Sequence, residues 1–177
     1  MGLWDRIKQL NAELVALGGG GSSLALPVPT TLLLESQTEA ENAVSVYETV
    51  IYNNDIKMVS EDLYGSAHYN VAVENCFKLI EKAVQETADK SDMYGVPLME
   101  HVFNVKAPCL VLRQIENRSG KDHQSGYQRI YGGVLLGVRN PCAHEFDWVD
   151  DPLEALDLII LAQHLLEKLR KATRTNS

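Results

Sequence analysis

The sequence predicts an all-α helical bundle, and two observations support that prediction. Apolar residues recur at intervals of three and four over several segments, which is the period of an amphipathic helix. No segment of useful length alternates apolar and polar residues as a half-buried β-strand does. With 177 residues, of which 45% are hydrophobic, the chain is long enough to bury a core of its own.

We expect two parts, an N-terminal helix with a linker over residues 1–37 and a helical domain over residues 38–177. The Gly-rich stretch at 18–23 should end the first helix and act as a flexible tether. A helix on such a tether must bury its apolar stripe on its own body, on a second copy or on another protein, or else stay disordered. Residues 1–37 are therefore a candidate site for a protein partner. The stripe consists of Leu3, Ile7, Leu10, Leu14 and Leu17.

Three helices are predicted in the first half of the domain. The first covers residues 39–53 after a cap at Ser36 or Thr38, and the second is capped by Asp55 and runs to Tyr64. The longest covers residues 68–88. Its inward positions repeat at three and four residues, and they are Val71, Ala72, Asn75, Cys76, Leu79, Ile80, Ala83 and Val84.

Three more helices are predicted in the second half. A short one near residues 98–104 precedes a long polar connection that reaches Ser125. The next covers residues 126–139, and its glycines at 132, 133 and 137 would let another helix approach closely. The last begins at Asp150-Asp151-Pro152, where acidic residues and a first-turn proline favour a helix N-terminus, and it runs over residues 153–173.

The charge of the chain is unevenly distributed. The formal net charge is −8, yet residues 106–139 hold six basic and only two acidic side chains. Such a local patch attracts phosphate groups even on an acidic protein. The alternative is an ordinary solvated surface, and both interpretations remain open. The candidate nucleic-acid-binding residues of this segment are Arg118, Lys121, His123 and Arg129.

Composition argues against several other classes of protein. No apolar run approaches the roughly 18 residues that span a bilayer, and polar residues interrupt any secretory leader at the N-terminus. The three cysteines are scattered without a C-x-x-C spacing, which is typical of free thiols in a reducing compartment. We expect a cytoplasmic protein that has no membrane contact, no metal site and no cofactor.

The residues with the clearest chemical meaning are Arg139, Asn140 and His144. A fixed cation, an amide and a titratable imidazole together suit the handling of a phosphodiester. Because the residue before a proline is pushed out of the α region, Pro141 predicts a helix end near Asn140. That break would bring Arg139 close to His144, whereas an unbroken helix would hold them about 140° apart. The alternative is an arginine at a helix C-terminus and a histidine that caps the next turn.

These residues resemble the R-x4–6-H signature of the HEPN superfamily, including the polar residue that commonly follows the arginine. Several further blocks, in the same order between Tyr64 and Leu169, resemble the Ymh-type domain of HEPN-like proteins. They are Gly65-x-x-His68-Tyr69-x-x-Ala72-Val73, Leu98-Met99, the stretch 126–133, Gly137-x-Arg139-Asn140-Pro141-x-Ala143-His144, and Glu154-Ala155-Leu156.

The resemblance implies a HEPN-like helical bundle that forms a homodimer, with the two motifs facing each other across the two-fold axis. It also implies a metal-independent endoribonuclease that acts on RNA and needs no cofactor. In that reaction His144 would be the general acid or base, Arg139 would stabilise charge on the phosphate, and Asn140 would orient it. Many members are toxins or effectors in prokaryotic anti-phage defence. Some carry a regulatory tyrosine two residues after the histidine, where this chain has Phe146.

Two other functions fit the same sequence. The first is a catalytically silent HEPN subunit that binds nucleic acid or scaffolds a larger defence complex, and the acidic net charge and the tethered N-terminal helix favour it. The second is a plain helical dimerisation domain. The complete set of Arg139, Asn140 and His144 favours the nuclease over both.

Overall fold

A computed structural model describes residues 42–175, so the predicted N-terminal helix, its linker and the cap at Ser36 or Thr38 lie outside the described residues. The prediction of an all-α fold is confirmed, because helices dominate and the strands are two residues long. The elements are α1 (described over 42–50), α2 (Asn54–Gly65), α3 (Tyr69–Ala88), α4 (Gly95–Val102), β1 (Leu110–Val111), α5 (Arg118–Val134), a π-helical turn (Leu135–Arg139), α6 (Asn140–His144), α7 (Pro152–Arg170) and β2 (Thr173–Arg174).

Helix α3 lies at the centre of the domain and packs against α2, α4, α6, α7 and the π-helical turn. Its predicted bounds are confirmed within one residue. Most of its apolar residues at three- and four-residue spacing are buried against the neighbouring helices, which is the main source of stability for an amphipathic helix. The inward position predicted for Val71 is wrong, because this side chain at the start of the helix is 40% exposed. The largest completely buried side chains of the core come from several elements, and they include Tyr47, Tyr64, Phe77, Phe103 and Tyr131.

The junction of α1 and α2 differs from the prediction. Helix α1 ends at residue 50, and α2 is capped by Asn53, whose side-chain oxygen accepts hydrogen bonds from the backbone of Asp55 and Ile56. The chain leaves the helix because Gln163 of α7 accepts the backbone N–H groups of Tyr52 and Asn53, each at 2.9 Å. The predicted cap at Asp55 is therefore wrong, since this residue lies in the first turn.

The predicted polar connection up to Ser125 is too long, because α5 begins at Arg118. Asn117 caps this helix by accepting a hydrogen bond from the backbone of Gly120 at 2.8 Å. The remaining connection is fixed by buried Gln124, which accepts from the Leu112 N–H and donates to the carbonyl of Leu110. The polar composition indicated a long loop up to Ser125. Instead, the tertiary contacts of Gln124 hold a shorter connection in place.

The predicted helix end at Asn140 is also wrong. Asn140 has helical dihedral angles (φ −67°, ψ −46°), and its N–H donates to the carbonyl of Leu135, five residues earlier. This wider hydrogen bond closes the π-helical turn. The chain continues directly into α6, whose second residue, Pro141, has no N–H to donate. The wider turn accommodates the proline ring that would disturb a regular α-helix. Arg139 and His144 therefore lie on one continuous helical segment.

The start of α7 confirms its prediction. Asp151 is the N-cap and accepts the backbone N–H groups of Leu153 and Glu154 at 2.8 and 2.9 Å, and Pro152 occupies the first turn. After α7, β2 pairs antiparallel with β1, so that Leu110 lies opposite Arg174. This pairing joins the end of the described chain to the connection between α4 and α5, in which β1 lies.

Two glycines of α5 predict opposite effects on stability when each is changed to alanine. A Cβ at Gly120 would lie 2.0 Å from the backbone oxygen of Gln114, whereas a Cβ at Gly126 would have no atom within 4 Å. We expect Gly120→Ala to lower the free energy of unfolding by at least about 2 kcal/mol, because backbone must move. Gly126→Ala should raise it by up to about 1 kcal/mol, because alanine favours the helix.

Urea unfolding followed by circular dichroism measures both changes, and Gly126→Ala is the matched control for Gly120→Ala. Equal stability of the two variants would contradict the close packing of α5 against the 114–115 backbone.

Candidate active site

Arg139 lies at the end of the π-helical turn and faces α3. Its Nη2 is 3.4 Å from Oε2 of Glu81, and its Nη1 donates to Oδ1 of Asn140 at 3.1 Å. The Arg139 side chain keeps 30% of its surface exposed, while its Nε atom is buried and has no hydrogen-bond partner within residues 42–175. The guanidinium is thus held in place but is not fully paired.

Glu81 is the buried partner of this arginine, and the sequence analysis did not identify it. One of its oxygens accepts the backbone N–H of Gly95 at 2.5 Å, and the other faces Arg139. Glu81 therefore ties α3 both to the start of α4 and to the motif. The available signal was an acidic residue on the apolar side of the longest helix, because carboxylates are rarely buried without a partner.

Asn140 borders an open cavity of about 560 Å³ whose other walls come from residues 92–97. The exposed ring of Tyr94 lies on this cavity, which is in the size range of small-molecule sites. Because Glu81 fixes Gly95 and also pairs with Arg139, the same carboxylate sets the position of the cavity wall and of the motif arginine.

His144 is the last residue of α6 and is exposed to solvent. It follows Asn140 by four residues, so both side chains project from the same side of the helix. No hydrogen bond or ion pair joins His144 to Arg139 or Asn140 in the described part of the chain. The structure thus places the three predicted residues on one segment, with Arg139 directed to α3 and His144 open to a ligand.

A second residue missed by the sequence analysis, Asn70, fixes the end of the motif. This buried side chain of α3 donates to the carbonyls of Cys142 and Glu145 at 2.9 and 3.0 Å, and its oxygen accepts the N–H of Val149 at 3.3 Å. The two carbonyls lie on either side of His144 in the chain. Asn70 therefore determines where α6 ends and where His144 is presented.

The segment after His144 is both acidic and aromatic. Phe146 is 94% exposed, and Trp148 is also exposed. The carboxylates near them belong to Glu145, Asp147, Asp150 and Asp151. This surface would attract a cation or an apolar partner, and it would repel a bare phosphate chain.

Of the four residues predicted to bind nucleic acid, three are exposed on α5 and one faces α7. Arg118, Lys121 and Arg129 are exposed along α5, and Arg118 lies 3.8 Å from Asp122 in the next turn. His123 instead faces α7, with its Nε2 atom 3.2 Å from Nζ of Lys168. Burial, Lys168 and Arg113 lower the pKa of His123, because each disfavours the charged imidazole.

Cys142 is buried inside the motif segment and serves as packing. Burial raises its pKa to about 11, and burial also raises the pKa of Cys76 to about 12. A thiol is nucleophilic only after it loses its proton, so both groups are poor nucleophiles near neutral pH. The interpretation of Cys142 as a packing residue fits this environment.

The described residues contain neither a metal-type cluster nor a membrane-spanning helix. Within residues 42–175, no group of three or more His, Cys, Asp and Glu side chains is arranged to hold a metal ion. None of the helices in that range is long and apolar enough to cross a membrane.

The described residues form a helical domain that carries Arg139, Asn140 and His144 on one continuous helical segment. A family model described as "Protein of unknown function (Hypoth_Ymh)" matches residues 53–169, about two thirds of the chain. The protein therefore belongs to the Hypoth_Ymh family. Neither a curated protein nor a solved structure matches this chain.

Removal of the Asn70 side chain tests how the motif is held. Asn70→Ala leaves two carbonyls and one N–H without their partner, and each unpaired buried group costs about 1–3 kcal/mol. We expect the free energy of unfolding to fall by about 2–4 kcal/mol in chemical denaturation. Asn75→Ala is the control, because Asn75 lies on the same helix and its side chain forms no hydrogen bond within residues 42–175; it should change this free energy by less than about 1 kcal/mol. A similar loss in both variants would refute the role assigned to Asn70.

The cysteine environments predict an order of alkylation. Cys109 is partly exposed, whereas Cys76 and Cys142 are buried and their thiolate forms are scarce at pH 8. We expect iodoacetamide to label Cys109 first in the native protein, and all three cysteines equally in urea. Peptide mass spectrometry measures the order, and fast native labelling of Cys142 would contradict its packing role.

Proposed function

We propose that this protein is a HEPN-type endoribonuclease that cuts RNA without a metal ion, at a site shared by two copies of the chain. The observation that carries the proposal is the incomplete pairing of Arg139, whose side chain keeps 30% of its surface exposed and whose Nε lacks an acceptor in the described residues. A phosphate oxygen can bind the exposed part of this guanidinium, which is a fixed cation with several N–H donors. His144 is exposed on the same segment, where a substrate would reach it.

The proposed reaction uses the RNA itself as nucleophile. The 2′-oxygen of a ribose forms a bond to the adjacent phosphorus, and the bond from phosphorus to the 5′-oxygen breaks. One imidazole takes the proton of the 2′-hydroxyl, and a second donates a proton to the departing 5′-oxygen. Arg139 stabilises the charge that develops on the phosphate, and Asn140 orients it. The products are a 2′,3′-cyclic phosphate and a 5′-hydroxyl.

Two copies of the chain are part of the proposal because one copy supplies only one arginine and one histidine. A two-fold symmetric dimer doubles this set. The surface next to the motif supports close approach, because a Cβ at Gly133 or Gly137 would have no atom within 4 Å. Leu136, between them, is 64% exposed and would be covered in such a dimer.

The biological role that we propose is that of a toxin or effector in prokaryotic anti-phage defence. This part rests on the resemblance of the motif and of the ordered blocks to HEPN proteins. Some HEPN toxins are regulated by modification of a tyrosine two residues after the histidine. Because this chain has Phe146 at that position, we do not propose this form of regulation for it.

A catalytically silent HEPN subunit is the second candidate, and two observations favour it. Glu81 already neutralises part of the charge of Arg139, and four carboxylates follow His144 within seven residues. Such a protein would bind nucleic acid or scaffold a larger complex without cleaving RNA.

The test is cleavage of single-stranded RNA in the presence of EDTA by the wild type and by His144→Ala. We expect the wild type to leave cyclic phosphate ends and the variant to lose at least about a hundred-fold in rate, as removal of a general acid or base does. Because His144 is exposed and forms no hydrogen bond in the described residues, the variant should keep its fold. His101→Ala, which removes another exposed histidine, is the matched control and should cleave normally.

Gly133→Leu adds the test of the shared site. It should reduce both the dimer mass in light scattering and the cleavage rate, because the added side chain separates the two helices. Equal cleavage by the wild type and His144→Ala would refute the assignment of His144. RNA binding without any cleavage by the wild type would favour the silent subunit.

A further inference from the structure

A second cavity, far from the motif in the chain, lies between α7 and the junction of α1 and α2. It has a volume of about 470 Å³, and its lining residues include Tyr52, Ile160, His164, Lys168 and Lys171. This size lies within the range of sites for small ligands. The chemistry of these side chains differs from that of the acidic surface that dominates the chain.

The cationic side of this cavity lacks a counter-charge. Neither Lys168 nor Lys171 has a carboxylate within ion-pair distance among residues 42–175. The one carboxylate on the cavity wall, Glu167, is already paired with Arg170 at 2.9 Å and also accepts a hydrogen bond from Asn53. Lysines at the end of a helix favour its dipole, which accounts for their presence there. The dipole does not account for the ordered side-chain contacts of Lys168.

Lys168 is held by two aromatic side chains. Its Nζ lies 3.2 Å from Nε2 of His123 and 4.7 Å from the ring centre of Tyr127. The hydroxyl of Tyr127 is 2.8 Å from Nε2 of His164, which fixes the imidazole on the cavity wall. Since lysine has no acceptor, its ammonium donates to His123, so the imidazole is neutral. The ammonium is therefore fixed in position without being neutralised.

The cavity wall also includes an aromatic ring on a fixed backbone. Tyr52 is 68% exposed, and its side chain forms no hydrogen bond in the described residues. Its backbone N–H is bound by Gln163, which also donates to the carbonyl of Val50 at 3.2 Å. Ile160 adds a partly exposed apolar surface to the same cavity. A planar ring can stack on such a tyrosine at little cost in conformational entropy.

We propose that this cavity binds a nucleoside monophosphate group, with its base on Tyr52 and Ile160 and its phosphate on Lys168 and Lys171. The phosphate supplies the missing counter-charge of the two lysines, and the base covers the exposed ring. This site is separate from the motif at 139–144, so the inference does not depend on RNA cleavage. The group belongs either to a free nucleotide or to a strand of RNA.

Calorimetric titration of the full chain tests the proposal, with AMP, CMP, GMP and UMP as separate probes. We expect saturable binding of at least one of them. The nucleoside without phosphate, and ribose 5-phosphate without a base, should each bind at least about ten-fold more weakly, which is a loss of about 1.4 kcal/mol. Absence of saturable binding by all four nucleotides would overturn the proposal.

Substitutions at two exposed residues distinguish the phosphate-binding part of the site from the base-binding part. Lys171→Ala should weaken the nucleotide at least about ten-fold, and Tyr52→Ala should weaken it similarly while ribose 5-phosphate binding stays unchanged. Lys82→Ala removes a lysine of α3 that is 73% exposed and does not line the cavity, so it should bind as the wild type does. Unchanged binding in both cavity variants would overturn the proposal.

Competition identifies the source of the group. If a ten-nucleotide single-stranded RNA displaces the bound nucleotide, the cavity takes part of an RNA strand. If the RNA does not displace it, the cavity takes a free nucleotide. Either result, together with the response of Lys171→Ala, supports the site.

Discussion

One face of α3 holds the motif, and the position of the candidate site depends on it. Asn70 and Glu81 are eleven residues apart, which is almost a whole number of helical turns, so both side chains project from nearly the same side of α3. Glu81 pairs with Arg139 at the start of the motif, and Asn70 binds the carbonyls of Cys142 and Glu145 at its end. A polar contact at each end therefore fixes a segment that would otherwise be held only by apolar packing.

The π-helical turn gives this segment its geometry. A proline in a regular helix removes a hydrogen bond and collides with the preceding turn, which would end the helix. The hydrogen bond from Asn140 to Leu135 widens the turn, and the helix continues to His144. As a result, Asn140 and His144 share one side of the helix, while Arg139 is directed toward Glu81. Turns of this kind are frequent at functional sites, which agrees with the proposed role of the segment.

The charges of the chain are separated in space as well as in sequence. Carboxylates follow His144, whereas the uncompensated lysines of α7 line a different cavity. The carboxylates after His144 would repel an RNA strand at the motif. In the proposed nuclease, the arginine and the amide of a second copy would offset that repulsion. The lysine cavity repels an anion less, because the carboxylate of Glu167 on its wall is already engaged by Arg170. The two regions thus have different electrostatic requirements for an anionic ligand.

The sequence by itself determined the helical class, the bounds of α3 and the start of α7, because apolar periodicity and capping residues are local signals. The sequence also led us to predict phosphate chemistry for Arg139, Asn140 and His144, which stays a prediction. Tertiary structure decided the end of α1, where Gln163 binds the backbone of Tyr52, and the early start of α5, where Gln124 is buried. It also decided the continuation of the helix through Pro141 and the partners Asn70 and Glu81. These features depend on contacts between residues distant in the chain, and neither local propensity nor periodicity contains information about such contacts.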